Sequence, residues 1–370
     1  MSVFKKLKKI TGGLKGVFMR RMMKDTGIAH FKPNGDRVNQ AQIRKILISR
    51  PNHRLGNLLL ITPLLQEVIE TFPDAEIDLF VKGNLAPSLF KNYTNIHRII
   101  SLPKKPLKAL FNYLQGWIVM KKSRYDIVIN AIDQSSSGIL SIRFATSRYA
   151  FYGDLEDQTK LKYKDHVHMA KYAVYSFRNY LYKIGIEKSE TPAPHLDLQL
   201  SASELAEGKK NLYELVKNEK ETIGLFTYAT GAKCYPPLWW NEFYNQLITN
   251  YPEYNIIEVL PVEHVSQISF KAPTYSSKDV RQAGALIANT CIFIVADGGV
   301  MHLASSVQTP TIGLFKVTNP DSYTPYNNGS VAINTNDLDL TDCIRIVGEV
   351  LNKSKSIEVV TDSSPLRTAP

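Results

Sequence analysis

From residue 45 onward, short segments of apolar residues alternate with longer segments in which apolar residues recur at every third or fourth position. Short apolar segments are typical of buried β-strands, and the longer period is typical of helices with one apolar face. Strands that alternate with helices form parallel sheets covered by helices, so the pattern predicts an α/β protein. Strands are predicted at residues 46–49, 77–81, 99–102, 126–132 and 149–152, and then at residues 222–227, 256–260, 292–296 and 311–315. The predicted helices include one at residues 59–71 and a closing helix at residues 340–352.

The alternation is interrupted at residues 187–194, whose sequence is E-K-S-E-T-P-A-P. This segment contains two prolines and no apolar cluster, and proline continues neither a helix nor a central strand. Because 370 residues suffice for two hydrophobic cores, we predict two Rossmann-like domains that face each other across a cleft. The predicted boundaries are residues 31–188 for the N-terminal domain, 189–201 for the linker, 202–352 for the C-terminal domain and 353–370 for a tail.

Residues 1–30 form a basic arm ahead of the first predicted strand. Eight basic residues and no acidic residue occur between Met1 and Lys24, so most of the net charge of +11 lies in this arm. A helix that is apolar on one face and basic elsewhere binds the surface of an anionic membrane, so we expect an interfacial anchor. The alternatives are a disordered or partner-packed tail and nonspecific contact with nucleic acid. The rest of the chain carries no nucleic-acid-binding motif, so no nucleic-acid partner is predicted. The apolar positions of the arm are Val3, Leu7, Ile10, Leu14 and Phe18.

The cysteines and the longest apolar segments favour a cytoplasmic protein on the inner face of the cytoplasmic membrane. Cys234, Cys291 and Cys343 lie far apart and form no C-x-x-C pair, so reduced thiols are the simplest interpretation. The longest apolar segments, such as residues 58–65 and 291–296, fall well short of the roughly 18 residues that cross a bilayer. A peripheral membrane location is therefore expected.

The segment from Ile292 to Pro310 carries the most specific pattern for ligand binding. An apolar strand ends just before an aspartate, two glycines follow, and a helix is predicted immediately after them. Ligands of open parallel sheets bind at the carboxyl ends of the strands. There, glycines let the backbone approach a diphosphate, and the free N–H groups of a helix N-terminus attract it. Many turns of this kind bind nothing. The predicted donor-binding residues of this segment are Asp297, Gly298, Gly299, Val300 and His302.

A second phosphate-compatible loop follows the predicted strand at residues 222–227. Thr230 and Gly231 are suited to a tight turn, and Lys233 is a mobile cation that can neutralise a phosphate. A lysine in an exposed loop without a ligand is the alternative. Because two such loops fall in the same half of the chain, we predict that they converge on one ligand.

A third loop, R-P-N-H-R-L-G-N, follows the strand at residues 46–49 and leads into an apolar helix. Its basic residues predict a site for an anionic acceptor at the carboxyl end of that strand. An exposed loop without a ligand is the alternative. The predicted acceptor-binding residues are Arg50, Arg54 and Gly56.

Three segments together resemble glycosyltransferase family 9, the heptosyltransferases of lipopolysaccharide core assembly. They are R-L-G-N-L-L-L-I-T-P-L-L from Arg54, A-K-C-Y-P from Ala232, and A-D-G-G-V-M-H-L-A-S-S-V-Q-T-P-T-I-G-L-F from Ala296. The resemblance implies a GT-B fold and an inverting transfer that needs no metal and no other cofactor. It also implies a nucleotide-sugar donor, ADP-heptose or a related compound, and an acceptor that is lipopolysaccharide core or a related envelope glycolipid. The donor-binding positions that it implies are Thr230, Lys233, Asp297, Gly298, Gly299 and His302.

The chain departs from the family pattern at Asn57, where the resemblance implies an aspartate that acts as general base. An amide accepts no proton at neutral pH. Three accounts remain open: Asp133 or His53 is the base, Asn57 only orients the acceptor hydroxyl, or the protein is catalytically silent. A second departure, the absence of glycine after the strand at residues 256–260, leaves the base and the sugar of the donor open.

The sequence is also compatible with two rival functions, and two of its motifs are decoys. The rivals are a sugar-nucleotide epimerase of similar architecture and a silent, membrane-associated glycan-binding protein, which Asn57 favours. Asp337-Leu338-Asp339 imitates the D-x-D metal motif of other glycosyltransferases, but its place at the start of a helix favours capping of free N–H groups. His166-x-His168 lies at the entry of a helix and is interpreted as structural or acceptor-facing. No metal site is therefore predicted.

Overall fold

The computed structural model describes residues 38–133, 135–187 and 189–362, which contain two parallel sheets. The predicted arm at residues 1–30 lies outside this range, as do residues 363–370 of the predicted tail. No helix in the described part of the chain combines the length and the apolar composition needed to cross a membrane.

The first sheet has five parallel strands in the order β3-β2-β1-β4-β5. Its strands are β1 (Lys45–Ser49), β2 (Glu76–Lys82), β3 (Ile96–Leu102), β4 (Arg124–Asn130) and β5 (Thr146–Phe151). The helices of this half are α1 (Leu55–Leu59), α2 (Thr62–Thr71), α3 (Ala86–Leu89), α4 (Leu110–Lys122), α5 (Ser136–Phe144), α6 (Asp157–Lys162) and α7 (Met169–Lys183). Short 3-10 turns occur at Gln40–Gln42 and Pro106–Lys108. The central strands are buried on both faces, which is why their sequences are almost continuously apolar.

The second sheet has six parallel strands in the order β11-β10-β9-β6-β7-β8. Its strands are β6 (Thr222–Phe226), β7 (Asn255–Val259), β8 (Thr274–Tyr275), β9 (Ile292–Ala296), β10 (Thr311–Phe315) and β11 (Val331–Asn334). The helices are α8 (Ala202–Val216), α9 (Pro237–Asn250), α10 (Val280–Ile287), α11 (Gly299–Ser306) and α12 (Leu340–Asp362). Further 3-10 turns occur at Gly231–Lys233 and Pro320–Ser322.

Each sheet reverses its strand order at one point, between β1 and β4 in the first sheet and between β6 and β9 in the second. At such a point the connecting helices leave toward opposite faces of the sheet, so a crevice opens at the strand ends. Arg50 follows β1, Asp133 lies just beyond β4, Lys233 follows β6 and Asp297 follows β9. The topology thus positions the loops singled out from the sequence at the two reversal points.

Two helices differ from their predicted extent. The predicted helix at residues 59–71 is two helices, because α1 ends at Leu59 and α2 begins at Thr62 with Pro63 in its first turn. Proline lacks an N–H group and is therefore favoured where a helix starts. The last helix continues to Asp362 rather than ending at Asn352, since the chain has neither glycine nor proline between Gly348 and Pro365 to stop it.

The segment ahead of α8 is held between the two halves of the protein. The amide of Leu198 donates to the carbonyl of Ser306 at 2.8 Å. The buried guanidinium of Arg281, on α10, donates to the carbonyl of Leu198 at 3.1 Å and to that of Leu89, on the N-terminal side, at 3.3 Å. Its other nitrogens bind both carboxylate oxygens of Glu204, at 2.6 and 2.7 Å. One charged side chain therefore joins both sheets' helices to the connecting segment.

Candidate active site

The loops that follow β6 and β9 meet at one ion pair. The Nζ atom of Lys233 lies 2.5 Å from Oδ2 of Asp297. The side chain of Asp297 is only 6% exposed, whereas that of Lys233 is 35% exposed. A carboxylate that is buried to this degree needs a cation nearby, so the pair fixes the position of Lys233 at the mouth of the crevice. The two phosphate-compatible loops therefore lie side by side.

The N-terminus of α11 opens onto the same place. Gly298 is the N-cap of this helix, and its lack of a side chain leaves the first N–H groups of the helix uncapped. A Cβ atom on Gly298 would come no closer than 3.6 Å to another atom, the carbonyl oxygen of Ala296. Few protein atoms therefore lie close to Gly298, and Asp297, which precedes it, is the ion-pair partner of Lys233. These are the features of an anion-binding helix terminus.

Helix α1 of the N-terminal half packs directly on α11. A Cβ atom added to Gly56 would lie 2.7 Å from Cδ2 of His302 and 3.3 Å from the Cα atom of Gly299. Contacts that short are not tolerated, so glycine is required where the two helices touch. The loop after β1 is thereby brought against the helix that follows the Lys233–Asp297 pair.

His302 is buried at this junction and carries no charge at neutral pH. Burial, with smaller electrostatic contributions from His168 and Lys233, lowers its pKa from 6.5 to about 3 against the opposing effect of Asp297. A neutral imidazole has one N–H group to donate. At this site His302 can therefore offer a hydrogen bond but no positive charge.

His168 joins α7 to the C-terminal half. Its Nδ1 atom accepts a hydrogen bond from the amide of Ala170 at 3.3 Å, and its Nε2 atom donates to the carbonyl of Thr324 at 3.0 Å. This arrangement requires the neutral ring, and burial, together with the charge of Lys171, lowers the pKa of His168 to about 4. Of the two uses open for this histidine, the structure shows the structural one.

The predicted acceptor loop is built around a buried arginine. The Nη2 atom of Arg50 donates to Oδ1 of Asn57 at 3.0 Å. No carboxylate of the described residues forms an ion pair with this guanidinium, which is only 7% exposed. Burial lowers the pKa of Arg50 to about 10, and Tyr323 opposes that shift. The cleft therefore contains a buried cation, Arg50, whose side-chain partner is the amide of Asn57. The side-chain oxygen of Asn57 already accepts a hydrogen bond from this arginine.

The two candidate bases lie on separate loops. His53 is exposed at the rim, where desolvation and the cations Lys104 and Lys82 lower its pKa. Asp133 is half-buried and is hydrogen-bonded to Tyr172 of α7, and this carboxylate adds to the effect of burial in raising the pKa of Tyr172. Neither of these contacts joins a candidate base to the Arg50–Asn57 pair.

The remaining predicted residues lie on the same edge. Arg54 is exposed just ahead of α1, and Val300 is half-buried in the first turn of α11. Thr230 is exposed at the start of the turn Gly231–Lys233, and its side chain caps no helix N–H group. Asp339 accepts a hydrogen bond from the amide of Asp342 at 2.9 Å, so the predicted capping role is confirmed for this aspartate.

Two residues of the cleft were missed in the sequence. Lys316 directly follows β10, and its Nζ atom donates to the carbonyl of Cys234 at 2.8 Å while lying 4.6 Å from the ring centre of Tyr235. The rule that ligand-binding loops follow strand ends would have found it. Tyr323 interacts electrostatically with Arg50 and raises its pKa, and the ring centre of Tyr323 lies 6.1 Å from that of His302. No sequence signal marks this tyrosine, because only the tertiary structure brings its loop across the cleft.

Comparisons with known proteins agree with this architecture. The model of the family described as glycosyltransferase family 9 (heptosyltransferase) matches residues 117–349, well over half of the chain. The lipopolysaccharide heptosyltransferase 3 of Escherichia coli is 23% identical over 294 residues, which cover 75% of this chain and 85% of that protein.

Solved structures of low sequence identity share the fold. The family 9 glycosyltransferase from Veillonella parvula gives a TM-score of 0.67 at 16% identity and covers 86% of this chain and 100% of that chain. The E. coli heptosyltransferase WaaC, solved with ADP, gives a TM-score of 0.61 at 18% identity, with 83% and 99% covered. The chain therefore belongs to glycosyltransferase family 9, and its two parallel-sheet α/β halves form the GT-B fold of a glycosyltransferase.

Proposed function

We propose that this protein is an inverting, metal-independent heptosyltransferase. Its donor is ADP-heptose or a related nucleotide sugar, and its acceptor is lipopolysaccharide core or a related envelope glycolipid. Membership of family 9 supports the reaction class, and the relatives named lipopolysaccharide heptosyltransferase 3 and WaaC with ADP support the donor and the acceptor. The observation that carries the proposal is the Lys233–Asp297 pair beside the uncapped N-terminus of α11.

The donor side stabilises the leaving diphosphate. When the bond between the anomeric carbon and the phosphate oxygen breaks, negative charge builds up on the diphosphate. In this proposal the ammonium of Lys233 and the first N–H groups of α11 neutralise that charge, and His302 adds a neutral donor. Because an inverting transfer passes through an oxocarbenium-like state, stabilising the leaving group supplies much of the rate enhancement. The proposed donor-binding residues are Thr230, Lys233, Asp297, Gly298, Gly299, Val300 and His302.

The acceptor side holds an anionic glycolipid next to the donor. Arg50 and Arg54 attract the negative groups of the acceptor, and Arg50 does so as a buried cation without a protein carboxylate. Gly56 lets α1 approach α11 closely enough for an acceptor hydroxyl to reach the sugar. Asn57, whose oxygen binds Arg50, presents its amide nitrogen and orients the hydroxyl.

In the proposed reaction, a group other than Asn57 accepts the proton of the acceptor hydroxyl. Asp133 and His53 are the candidate bases, and both stand at the carboxyl edge of the first sheet. The lowered pKa of His53 keeps its ring neutral and able to accept a proton at neutral pH. Asp133→Asn and His53→Gln, measured separately, assign the role: loss of turnover in one variant and retention in the other identifies the base. Retention in both leaves water as the acceptor of the proton.

The enzyme works at the inner face of the cytoplasmic membrane. Residues 1–30, basic and apolar in alternation, supply a peripheral anchor to anionic lipid in this proposal. The donor then reaches the cleft from the cytoplasm and the acceptor from the membrane.

The deciding experiment incubates the full chain with ADP-heptose, with other nucleotide sugars and with truncated envelope glycolipid. Nucleotide diphosphate and glycolipid mass are followed by mass spectrometry. Acceptor-dependent release of ADP together with a heavier glycolipid supports the proposal. An isomerised nucleotide sugar without diphosphate release would assign an epimerase instead, and binding without turnover of any donor would assign a silent glycan-binding protein.

A further inference from the structure

Helix α4 of the N-terminal half is apolar beyond the side that faces the first sheet. Its inner side buries Trp117 and Met120 against the first sheet. Its outer side exposes four large apolar residues at spacings that place them along one stripe of a helix. These residues are Leu110, Phe111, Leu114 and Ile118, which are 55, 78, 51 and 50% exposed. We refer to them together as the α4 outer face.

The neighbouring helix α5 places a further exposed aromatic ring beside α4. The ring of Phe144, at the end of α5, is 40% exposed and lies 5.5 Å from the ring of Trp117. A helix on the surface of a soluble domain normally presents polar residues to water. A contiguous apolar patch on such a surface marks a place where the protein meets a partner or a membrane.

Basic residues lie at both ends of this patch, and no acidic residue is near it in the sequence. Between Asp78 and Asp126 the chain contains no aspartate and no glutamate. Five exposed lysines lie at the two ends of α4, with one of them, Lys121, 5.4 Å from the ring centre of Phe144. They are Lys104, Lys105, Lys108, Lys121 and Lys122. A partner that covers the patch must therefore be apolar in its interior and negatively charged at its surface, which describes an anionic bilayer.

The basic rim runs into the loop that follows β1. A Cβ atom added to Gly83 would lie 2.9 Å from Cε of Lys104 and 3.1 Å from Cβ of His53, so these two side chains flank the same glycine. Lys104 and Arg54 also act electrostatically on His53. The α4 outer face and the loop with Arg50 and Asn57 thus share one edge of the N-terminal half.

We propose that the α4 outer face docks onto an anionic lipid bilayer, with its apolar side chains among the headgroups and its lysines on the lipid phosphates. This surface lies within the folded domain and is distinct from the arm at residues 1–30. Docking through α4 turns the edge of the N-terminal half that carries the acceptor loop toward the membrane. The docking itself is independent of the reaction, whereas the benefit for a lipid-anchored acceptor rests on the proposed function.

Vesicle binding of the full chain tests the docking. The triple variant Phe111→Ser/Leu114→Ser/Ile118→Ser should bind vesicles of phosphatidylcholine and phosphatidylglycerol at least about tenfold more weakly than the wild type, because three apolar side chains no longer enter the interface. The matched control carries three equally polar substitutions on the other half of the protein, at residues that are 51, 44 and 56% exposed. It is Tyr213→Ser/Ile248→Ser/Phe270→Ser, and it should bind as the wild type does.

Three outcomes of this experiment would overturn the proposal. Unchanged vesicle binding of the α4 variant means that residues 1–30 alone hold the protein on the membrane. Stronger binding of that variant means that the arm covers the α4 outer face and is released by the substitutions. A shift in oligomeric state with unchanged vesicle binding assigns the face to a second copy of the chain.

Insertion of the face is measured separately with brominated lipid. Phe111→Trp adds an indole to the α4 outer face, and Phe270→Trp adds one to the control surface. Vesicles with brominated acyl chains should quench the additional fluorescence of Phe111→Trp and leave that of Phe270→Trp unchanged. Equal quenching of both, or of neither, contradicts the proposed orientation.

Activity assays distinguish a failure of docking from a failure of the proposed function. The triple α4 variant should lose turnover on truncated glycolipid embedded in anionic vesicles and keep it on a delipidated, water-soluble core oligosaccharide. Equal turnover of variant and wild type on the embedded acceptor would contradict docking. Absence of ADP release by the wild type on either acceptor would instead contradict the proposed function, while vesicle binding still decides the docking.

Discussion

The loop that carries Lys233 and the loop that carries Arg50 differ in how their cationic side chains are paired. On the C-terminal side, the cation of Lys233 is matched by the buried carboxylate of Asp297. On the N-terminal side, the more deeply buried cation of Arg50 faces an amide, that of Asn57. A matched pair holds its lysine in place before any ligand arrives, whereas an unmatched buried cation is stabilised most when an anion arrives. If the proposed roles hold, the donor side is therefore preorganised by the protein, and the acceptor side is completed by the substrate.

Lys233→Ala tests the preorganised side and should have the largest effect. Loss of the ammonium removes a charge that faces the leaving diphosphate, so we expect kcat to fall about a hundredfold or more. Lys233→Arg keeps the ion pair with Asp297 and should retain part of the activity. Lys220→Ala, at an exposed position just ahead of β6 and therefore at the opposite edge of the sheet, is the control. Wild-type turnover in Lys233→Ala, with thermal unfolding showing an intact fold, would remove this lysine from the reaction.

Two glycine substitutions test two different features of the cleft. Gly56→Ala tests the contact between the two halves, and Gly298→Ala tests the proposed donor site. Gly56→Ala forces a methyl group against His302 and the backbone of Gly299, so we expect stability to fall by about 2 kcal/mol and activity to fall with it. Gly298→Ala makes one ordinary van der Waals contact, with the carbonyl oxygen of Ala296, in an extended backbone conformation, so the fold should persist. Its methyl group enters the proposed diphosphate site and should raise the KM for the donor about tenfold. A wild-type donor KM for Gly298→Ala would place the diphosphate elsewhere.

Asn57→Asp gives the buried cation of Arg50 a carboxylate partner. The new carboxylate would lie beside Arg50, gain an ion pair and supply a base, so we expect turnover at neutral pH to rise about tenfold. The neighbouring guanidinium should hold the pKa of that carboxylate low, so the gain should persist in mild acid. Asn57→Leu removes the polar group and serves as the opposite control. Unchanged turnover in Asn57→Asp, with activity abolished by Asp133→Asn, would assign the base to Asp133.

The buried contact of His168 with the C-terminal half should make the stability of the protein depend on pH. Its pKa is about 4 in the folded protein against 6.5 in the unfolded chain, so the unfolded chain takes up a proton first as the pH falls. Stability is therefore full above pH 6.5 and declines down to pH 4, by about 1.4 kcal/mol per pH unit for this one group. His302 acts with the same sign over a window that extends to about pH 3. His168→Gln should reduce the slope measured by denaturant unfolding, and an unaltered slope would contradict the assignment.

Much of the fold could be predicted from the sequence, because buried parallel strands leave a local record. The apolar segments of β1, β6 and β9 and the glycines after β9 are visible without any tertiary information. The convergence of Lys233 and Asp297 followed from the rule that parallel strands end at one edge. Helix ends were less accurate, as at Leu59 and Asp362, because the signals that stop a helix are only a few residues long.

The sequence by itself determined the alternation of strands and helices, the strand-end loops and the replacement at position 57. Only the tertiary structure decided that Arg50 donates to the side-chain oxygen of Asn57 and that Tyr323 lies near Arg50. It also decided that α4 is apolar toward the outside as well as the inside. Periodicity and turn chemistry act between neighbours in the chain, so they are legible in one dimension. Partners and exposure depend on which distant segments fold together, and no local pattern of residues contains that information.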